Sequence, residues 1–258
     1  MSAGSVQLRM EGGIASVLFD RPEARNAMTW AMYARLGEIC DQLRTDTSLR
    51  VVTFRGAGGE AFVAGTDIEQ FKAFKSGAEG VAYEQKIEQC IRKLESLPMP
   101  TVAIVEGWAI GGGLAIATAC DFRIATPTSR FGVPIARTLG NCLSVGNLAR
   151  LSAVFGTPRV KRMLMLAEIL TAEEALQAGF LLQISPGAGL DAAAAALCER
   201  IAALAPVTLS VTKESLRRLL LREMPDDEDL IRRCYGSNDF REGVEAFVAK
   251  RSPVWKGH

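Results

Sequence analysis

Short apolar segments alternate with helix-patterned segments through the first half of the chain. Residues 50–54, 101–105 and 122–125 are rich in β-branched or other apolar residues, as buried strands are, and a helical pattern spans residues 80–97. Parallel strands need crossover connections, which are usually helices, so this alternation predicts βα units on a parallel sheet. Almost all of the sequence beyond Ser144 has a helical pattern. We therefore expect one α/β domain with a helical C-terminal region.

Local signals define the first and last elements. Residues 6–10 and 14–19 flank a Glu-Gly-Gly turn, which predicts a β-hairpin. Thr29 is suited to capping the helix that follows, and the last helix is predicted over residues 239–251. The apolar residues of the first helix recur at helical spacing: Tyr33, Leu36, Cys40 and Leu43.

The charge balance restricts the partners of the protein. The 258 residues include 30 Lys and Arg against 29 Asp and Glu, so the formal net charge is +1. A chain without a basic excess has no global attraction for nucleic acid or for an acidic membrane surface, and we expect neither as a partner. The longest nearly apolar run, residues 108–120, is shorter than the ~20 residues of a transmembrane helix. Any anionic ligand must therefore be held by local groups.

Cysteine and histidine usage excludes several kinds of chemistry. The six cysteines form no C-x-x-C pair and lie singly in apolar stretches, which favours buried, reduced thiols in a cytoplasmic protein. The first ten residues have no apolar stretch of the length found in a signal peptide. The only histidine is His258, which argues against a Ser-His-Asp triad, a Cys-His dyad or a histidine-based zinc site. We expect a site without imidazole, metal or a permanently bound cofactor.

Two glycine-containing segments each combine a strand, a loop and the start of a helix. They are residues 61–68 and residues 107–114, which include Gly111, Gly112 and Gly113. A backbone N–H group left free at the start of a helix favours a negatively charged ligand. Two such donors that converge would stabilise the oxyanion of a thioester enolate, by about 2.7–4 kcal/mol each. The alternative is two close-packed turns without a ligand. Neither a P-loop nor a dinucleotide fingerprint is present.

These two segments belong to a longer ordered set that resembles the crotonase superfamily, also called the enoyl-CoA hydratase/isomerase family. The matching stretches, in order, are residues 21–28, 61–68, 103–121, 131–134, 139–140, 171–175, 178–179 and 239–243, followed by Phe247 and residues 250–251. The resemblance covers nearly the whole chain. It implies an α/β fold, a crotonase-like spiral of ββα units over about residues 1–200, and a helical trimerisation region over about residues 201–258. It also implies a homotrimer or homohexamer that acts on an acyl-CoA substrate.

The resemblance also assigns roles to individual residues. Thr66 matches the residue whose N–H forms the first half of the oxyanion hole, and Gly112 matches the second half. Positions that match the coenzyme A binding site of the family are Ala24, Arg25, Ala64, Asp67, Ile68, Phe247 and Lys250. For Arg25 and Lys250 the alternative is a solvated surface charge, and for Asp67, as for Asp121, it is local capping of the backbone.

The sequence departs from the family at both catalytic glutamates of the hydratases. The first position holds Ala115 and the second holds Ile135, and neither side chain can transfer a proton. No Asp or Glu occurs over residues 125–167, so a shifted alignment restores no carboxylate there. Because proton transfer typically contributes 10²–10⁴-fold, we expect slow hydration of crotonyl-type substrates. Residues that face the acyl group in relatives offer replacement chemistry: Arg137, Thr138, Asn141 and Cys142. The alternative for Asn141 and Cys142 is a polar cap and a packed thiol.

Three functions fit these observations. The first is an acyl-CoA enzyme of the hydratase/isomerase type that stabilises an enolate with altered acid–base groups. The second is the same scaffold catalysing decarboxylation, a double-bond shift or thioester hydrolysis; decarboxylation of a malonyl-type thioester needs only enolate stabilisation and orientation. The third is a non-catalytic acyl-CoA-binding or assembly subunit, which has less need of the three consecutive glycines.

Overall fold

The computed structural model describes residues 3–257, and His258 lies outside the described residues. Within this range ten strands form two sheets. Their bounds are β1 (Ser5–Glu11), β2 (Ile14–Asp20), β3 (Val51–Gly56), β4 (Ala61–Val63), β5 (Thr101–Val105), β6 (Trp108–Ile110), β7 (Phe122–Ala125), β8 (Arg130–Gly132), β9 (Ile169–Thr171) and β10 (Gln183–Ile184). The larger sheet has the order β1-β2-β3-β5-β7-β10, and the smaller has the order β4-β6-β8-β9.

Eleven α-helices lie in the same described range. Their bounds are α1 (Trp30–Arg44), α2 (Gly77–Glu95), α3 (Gly112–Ala119), α4 (Ile135–Thr138), α5 (Val145–Phe155), α6 (Thr157–Met165), α7 (Ala172–Gln177), α8 (Gly187–Ala202), α9 (Pro206–Leu220), α10 (Glu228–Tyr235) and α11 (Asn238–Val248). Two 3₁₀ segments, Pro22–Ala24 and Ile68–Ala73, follow β2 and β4.

The chain winds as a spiral in which each turn adds one strand to each sheet and then a helix. The first turn is β3, β4 and α2; the second is β5, β6 and α3; the third is β7, β8 and α4. The pairs β2–β3, β3–β5 and β5–β7 are parallel, as are β4–β6 and β6–β8. The antiparallel pairs, β1–β2 and β8–β9, lie at the sheet edges. The predicted α/β class and crotonase-like spiral are confirmed.

Most predicted elements occur where the sequence places them, and the differences lie at helix ends. The hairpin closes with Glu11 opposite Ile14, and the Thr29 side chain accepts from the N–H of Met32 at the start of α1. Helix α2 begins three residues earlier than predicted because Ser76 forms a capping box. The last helix ends at Val248, before the predicted residue 251; Lys250 has a left-handed backbone with φ of 54°.

Three apolar clusters hold the layers together. One lies between the sheets and helices α1 to α3, and a second packs α8 against the larger sheet through Leu190, Ile201 and Val102. The third joins α2, α10, α11 and the segment Ile68–Ala73. Its aromatic rings have centroids 4.8–6.5 Å apart in edge or tilted geometry, and they are Phe71, Phe74, Tyr83, Tyr235 and Phe240. This cluster supports one wall of the cavity described below.

Four of the six cysteines are buried and two are half-buried, and all six are unbridged. Among the described residues no single helix is long and apolar enough to cross a membrane. Helices α8 and α9 taken together have the length and composition of a membrane span, but the chain bends by 102° between them.

Candidate active site

A cavity of about 910 Å³ opens between the two sheets and the helices that follow them. All nine residues matched to the oxyanion hole and the coenzyme A site line this one cavity, and they are Ala24, Arg25, Ala64, Thr66, Asp67, Ile68, Gly112, Phe247 and Lys250. Of the candidates for replacement chemistry, Thr138 and Asn141 also line the cavity, whereas Arg137 and Cys142 are not among its described lining residues. Phe247 and Lys250 line a cavity whose other lining residues come from the same chain. Residues more than 220 positions apart in sequence are thus brought to one site.

The loop after β4 presents the N–H group of Thr66. Thr66 pairs with Met28 in an isolated parallel bridge, in which the N–H of Met28 donates to the Gly65 carbonyl and the N–H of Asp67 donates to the Met28 carbonyl, each at 2.9 Å. The N–H of Thr66 takes no part in this pairing. Gly65 precedes it with φ of 106°, a backbone conformation that residues with a Cβ rarely adopt.

The loop after β6 presents the N–H group of Gly112. The N–H of Gly111 donates to the Gly132 carbonyl at 3.0 Å, and Gly111 has φ of 54°. Gly112 is the first residue of α3, so its N–H has no acceptor within the helix and lies at the positive end of the helix dipole.

These two loops are in close contact. A Cβ atom at Gly112 would collide with the Tyr33 hydroxyl and would lie 3.3 Å from Thr66 Oγ1, and a Cβ at Gly113 would collide with the Val63 carbonyl. The Thr66 hydroxyl lies 2.9 Å from the hydroxyls of both Tyr33 and Tyr83. Burial raises the pKa of both phenols, so they stay neutral at physiological pH. Two backbone N–H groups beside one cavity can stabilise a developing oxyanion.

The outer part of the cavity carries exposed cationic and aromatic groups. Arg25 and Lys250 are exposed at its rim, and Phe247 is half exposed beside them. The side chain of Asp67 accepts from the N–H of Glu69 and forms an ion pair of 2.8 Å with the buried Arg21. Asp67 therefore has the capping role considered for it and also lines the cavity.

The inner part holds the two positions that the family resemblance matches to the glutamates of the hydratases. Ala115 on α3 and Ile135 on α4 both line the cavity and are nearly buried. The Asn141 amide donates to the Tyr235 hydroxyl at 3.1 Å, and its carbonyl oxygen is buried without a hydrogen-bond partner in the described part of the chain. Burial and the neighbouring Cys234 raise the pKa of the Cys142 thiol, so it is protonated. The Asp121 carboxylate accepts hydrogen bonds from the N–H and the hydroxyl of Thr101 and forms an ion pair with Lys213.

Glu84 on α2 is a cavity residue that the sequence analysis did not identify. Its carboxylate accepts from the Tyr235 hydroxyl at 2.7 Å and from the N–H of Ser144 at 3.2 Å, and the residue is 3% exposed. Burial raises the pKa of Glu84 to about 7, while the two hydrogen bonds oppose that rise. Its position on the apolar side of α2, three residues after Val81 and three before Ile87, is the signal that could have revealed it.

A ββα spiral around a deep cavity with two main-chain donors defines the class of crotonase-type α/β enzymes. Residues 9–258 match the family model described as enoyl-CoA hydratase/isomerase. The chain belongs to the enoyl-CoA hydratase/isomerase family.

Individual relatives cover nearly the full length of the chain. The short-chain-enoyl-CoA hydratase of Clostridium acetobutylicum is 30% identical over 255 residues, which are 97% of each chain. The (E)-benzylidenesuccinyl-CoA hydratase of Thauera aromatica is 30% identical, with 98% of this chain and 99% of the relative covered. Among solved structures, a methylmalonyl-CoA decarboxylase complexed with 2S-carboxypropyl-CoA superimposes with a TM-score of 0.89 at 27% identity, covering 100% of both chains.

Proposed function

We propose that this protein is an enzyme for acyl-CoA thioesters that stabilises a thioester enolate with the N–H groups of Thr66 and Gly112. The observation that carries the proposal is that Thr66 and Gly112, whose N–H groups have no hydrogen-bond acceptor in the described part of the chain, line one cavity. Negative charge collects on the thioester oxygen when a bond to the α-carbon breaks, and fixed donors stabilise that charge without reorganisation. Coenzyme A enters as part of the substrate, and no other cofactor is proposed.

The outer cavity suits the nucleotide end of coenzyme A. Arg25 and Lys250 provide positive charge for its phosphates, and the exposed ring of Phe247 provides an apolar surface beside them. Local cations of this kind are necessary because the net charge of the chain is only +1. Ala24, Ala64, Asp67 and Ile68 form the walls against which the pantetheine and adenine would lie.

The inner cavity favours a reaction other than simple hydration. Ala115 and Ile135 give an apolar surface where related hydratases place both glutamates. Among the candidate reactions, decarboxylation of a malonyl-type thioester needs enolate stabilisation and one protonation. The TM-score of 0.89 to a methylmalonyl-CoA decarboxylase also favours this reaction as the second, more specific candidate.

Calorimetry with acetyl-CoA and crotonyl-CoA tests the central proposal. We expect saturable binding that weakens as salt is added, because the phosphate contacts are exposed. Replacing Arg25 or Lys250 by Ala should weaken binding several-fold, whereas Lys161→Ala, an exposed lysine on α6 outside the cavity, should not. If no CoA thioester binds at millimolar concentration, the proposal is wrong. A turnover screen over saturated, enoyl, 3-hydroxy and malonyl thioesters then identifies the reaction.

A further inference from the structure

Glu84 is the one buried carboxylate among the described residues that line the cavity. The other acidic residues of the lining are Glu23, Asp67 and Glu69, which are exposed or half-buried and lie at the outer end. Glu84 is buried, like the inner lining residues Ala115 and Ile135, and Tyr235 links its carboxylate to the cavity residue Asn141. A group that exchanges a proton with an acyl chain must face this inner end.

The surroundings of Glu84 supply hydrogen bonds but no counter-charge. Within residues 3–257 no arginine or lysine forms an ion pair with it. Two other glutamates on the same helix, the half-buried Glu88 and the buried Glu95, are both paired with Arg150. A buried structural carboxylate is normally paired. Glu84 is therefore the member of this set that is free to change its protonation state.

A hydrogen-bonded chain fixes the position of the carboxylate. The Asn141 amide donates to the Tyr235 hydroxyl, and that hydroxyl donates to Glu84 Oε1, while Oε2 accepts from the N–H of Ser144. Tyr83, the neighbour of Glu84 in the chain, has its hydroxyl 2.9 Å from Thr66 Oγ1. Glu84 therefore lines the same cavity as Thr66 and Gly112, the residues of the two main-chain donors.

We infer that Glu84 is the catalytic residue that transfers the proton to and from the α-carbon of the thioester, in place of the two missing glutamates. This inference rests on the proposed function. The carboxylate takes the α-proton, the electron pair of the broken C–H bond forms the enolate, and the charge on its oxygen is held by Thr66 and Gly112. In the reverse step the protonated Glu84 returns a proton to carbon. With a pKa near neutrality, both forms are populated at physiological pH.

Other titratable groups act on Glu84 from every element packed around it. They are Tyr33 on α1, Tyr83 and Glu88 on α2, Cys142 before α5, and Asp227, Cys234 and Tyr235 at α10. Burial is the largest cause of the raised pKa of Glu84, and the acidic neighbours Asp227 and Glu88 add to it. The Tyr235 hydrogen bond opposes the rise, so its removal should raise the pKa further.

Exchange of α-protons tests this inference without knowledge of the full reaction. Propionyl-CoA is incubated with the enzyme in D₂O, and deuterium at the α-carbon is measured by mass spectrometry. We expect Glu84→Gln to slow exchange by at least about 10²-fold, in line with the typical contribution of general acid–base catalysis, while propionyl-CoA binding by calorimetry stays within a few-fold. Glu199→Gln, an exposed residue on α8, removes one negative charge and should leave exchange unchanged.

The pH profile separates a catalytic role from a structural one. Exchange requires the carboxylate form, so kcat/KM should fall as pH is lowered through about 7. Tyr235→Phe should move this midpoint to higher pH, a shift that a merely structural glutamate would not produce. A thermal melt at pH 8 should show that Glu84→Gln is folded, because glutamine removes a buried charge without changing the shape of the side chain.

The outcomes distinguish the two proposals. Exchange by the wild type that is lost in Glu84→Gln, with a shifted profile in Tyr235→Phe, supports the inference. Exchange that survives Glu84→Gln, or thioester binding by the wild type without exchange, overturns the role of Glu84 and leaves the proposed function standing. Failure of the wild type to bind any CoA thioester overturns the proposed function and the inference with it.

Discussion

At the scale of single residues, position 112 has no room for a side chain. The Tyr33 hydroxyl occupies the space that a Cβ would need, and Thr66 Oγ1 lies just beyond it. Glycine also allows the main chain of the loop to reach the cavity. Packing therefore restricts this position to glycine, and the proposed function adds a need for an accessible N–H group.

The Gly112 donor can be measured apart from the packing. In a Tyr33→Phe background, which removes the hydroxyl, Gly112→Ala keeps the N–H and Gly112→Pro deletes it. Proline is tolerated as the first residue of a helix, as Gly112 is in α3. We expect kcat on an accepted thioester to be about 10²–10³-fold lower for the proline variant than for the alanine variant.

Thermal melts of both variants provide the folding control for that comparison. Equal turnover by the two folded variants would show that the Gly112 N–H does not act on the transition state.

Prediction from the sequence is least complete for the individual residues of the site. The sequence pattern identifies the glycine loops and the family resemblance identifies the positions of Ala115 and Ile135, and all of them line the cavity. Glu84 was missed because its surroundings come from α10 and the segment before α5, more than 50 residues away in sequence. A single sequence does not reveal which glutamate of an amphipathic helix has no cationic partner in the folded protein.

At the scale of elements, Arg150 ties helix α5 to helix α2. It is 2% exposed, and its guanidinium bonds Glu88 at 2.7 and 2.9 Å and Glu95 at 3.0 to 3.3 Å. Burial alone would raise the pKa of Glu88, but Arg150 and Arg92 outweigh it and the pKa is lowered. Because α2 carries Glu84 and α5 carries Asn147, this network fixes two walls of the cavity.

Removing Arg150 should be costly. Arg150→Met leaves the buried Glu95 carboxylate without a partner and leaves Glu88 with only the exposed Arg92, and we expect the free energy of unfolding to fall by about 3–5 kcal/mol in urea denaturation. Arg92→Met removes the exposed partner of Glu88 and should cost less than ~1 kcal/mol. A loss for Arg150→Met no larger than that for Arg92→Met would show that the buried network does not hold the helices together.

At the scale of the whole molecule, one side of helix α9 is not covered by its own chain, although Leu209 and Lys213 on the other side contact it. None of its residues is buried, and Val207, Val211, Leu216 and Leu219 are 59–73% exposed. The helical character of this region was predicted from the sequence, but periodicity alone did not show which side would be left open. We propose that other copies of the chain cover this surface, in the trimer or hexamer that the family resemblance implies.

Light scattering tests the assembly. We expect a mass of three or six times 27.8 kDa at micromolar concentration. A double variant, Val211→Lys with Leu219→Glu, should reduce the mass toward that of one chain, because it places charges in the surface that would be buried between subunits. Lys161→Ala on α6 serves as the surface control. A wild-type protein of 27.8 kDa would show that α9 is exposed in solution and would count against assembly.

The two proposed oxyanion donors are main-chain atoms, and this has a consequence for how such a protein diversifies. A mutation of Thr66, Ala115, Ile135 or Glu84 changes a side chain but leaves both N–H groups in place, since these depend on the β4 and β6 loops. Selection can therefore replace the groups that move protons, one at a time, in a lineage that never loses the ability to hold an enolate. Divergence in reaction should accordingly accumulate in the side chains of the inner cavity while the two loops stay constant.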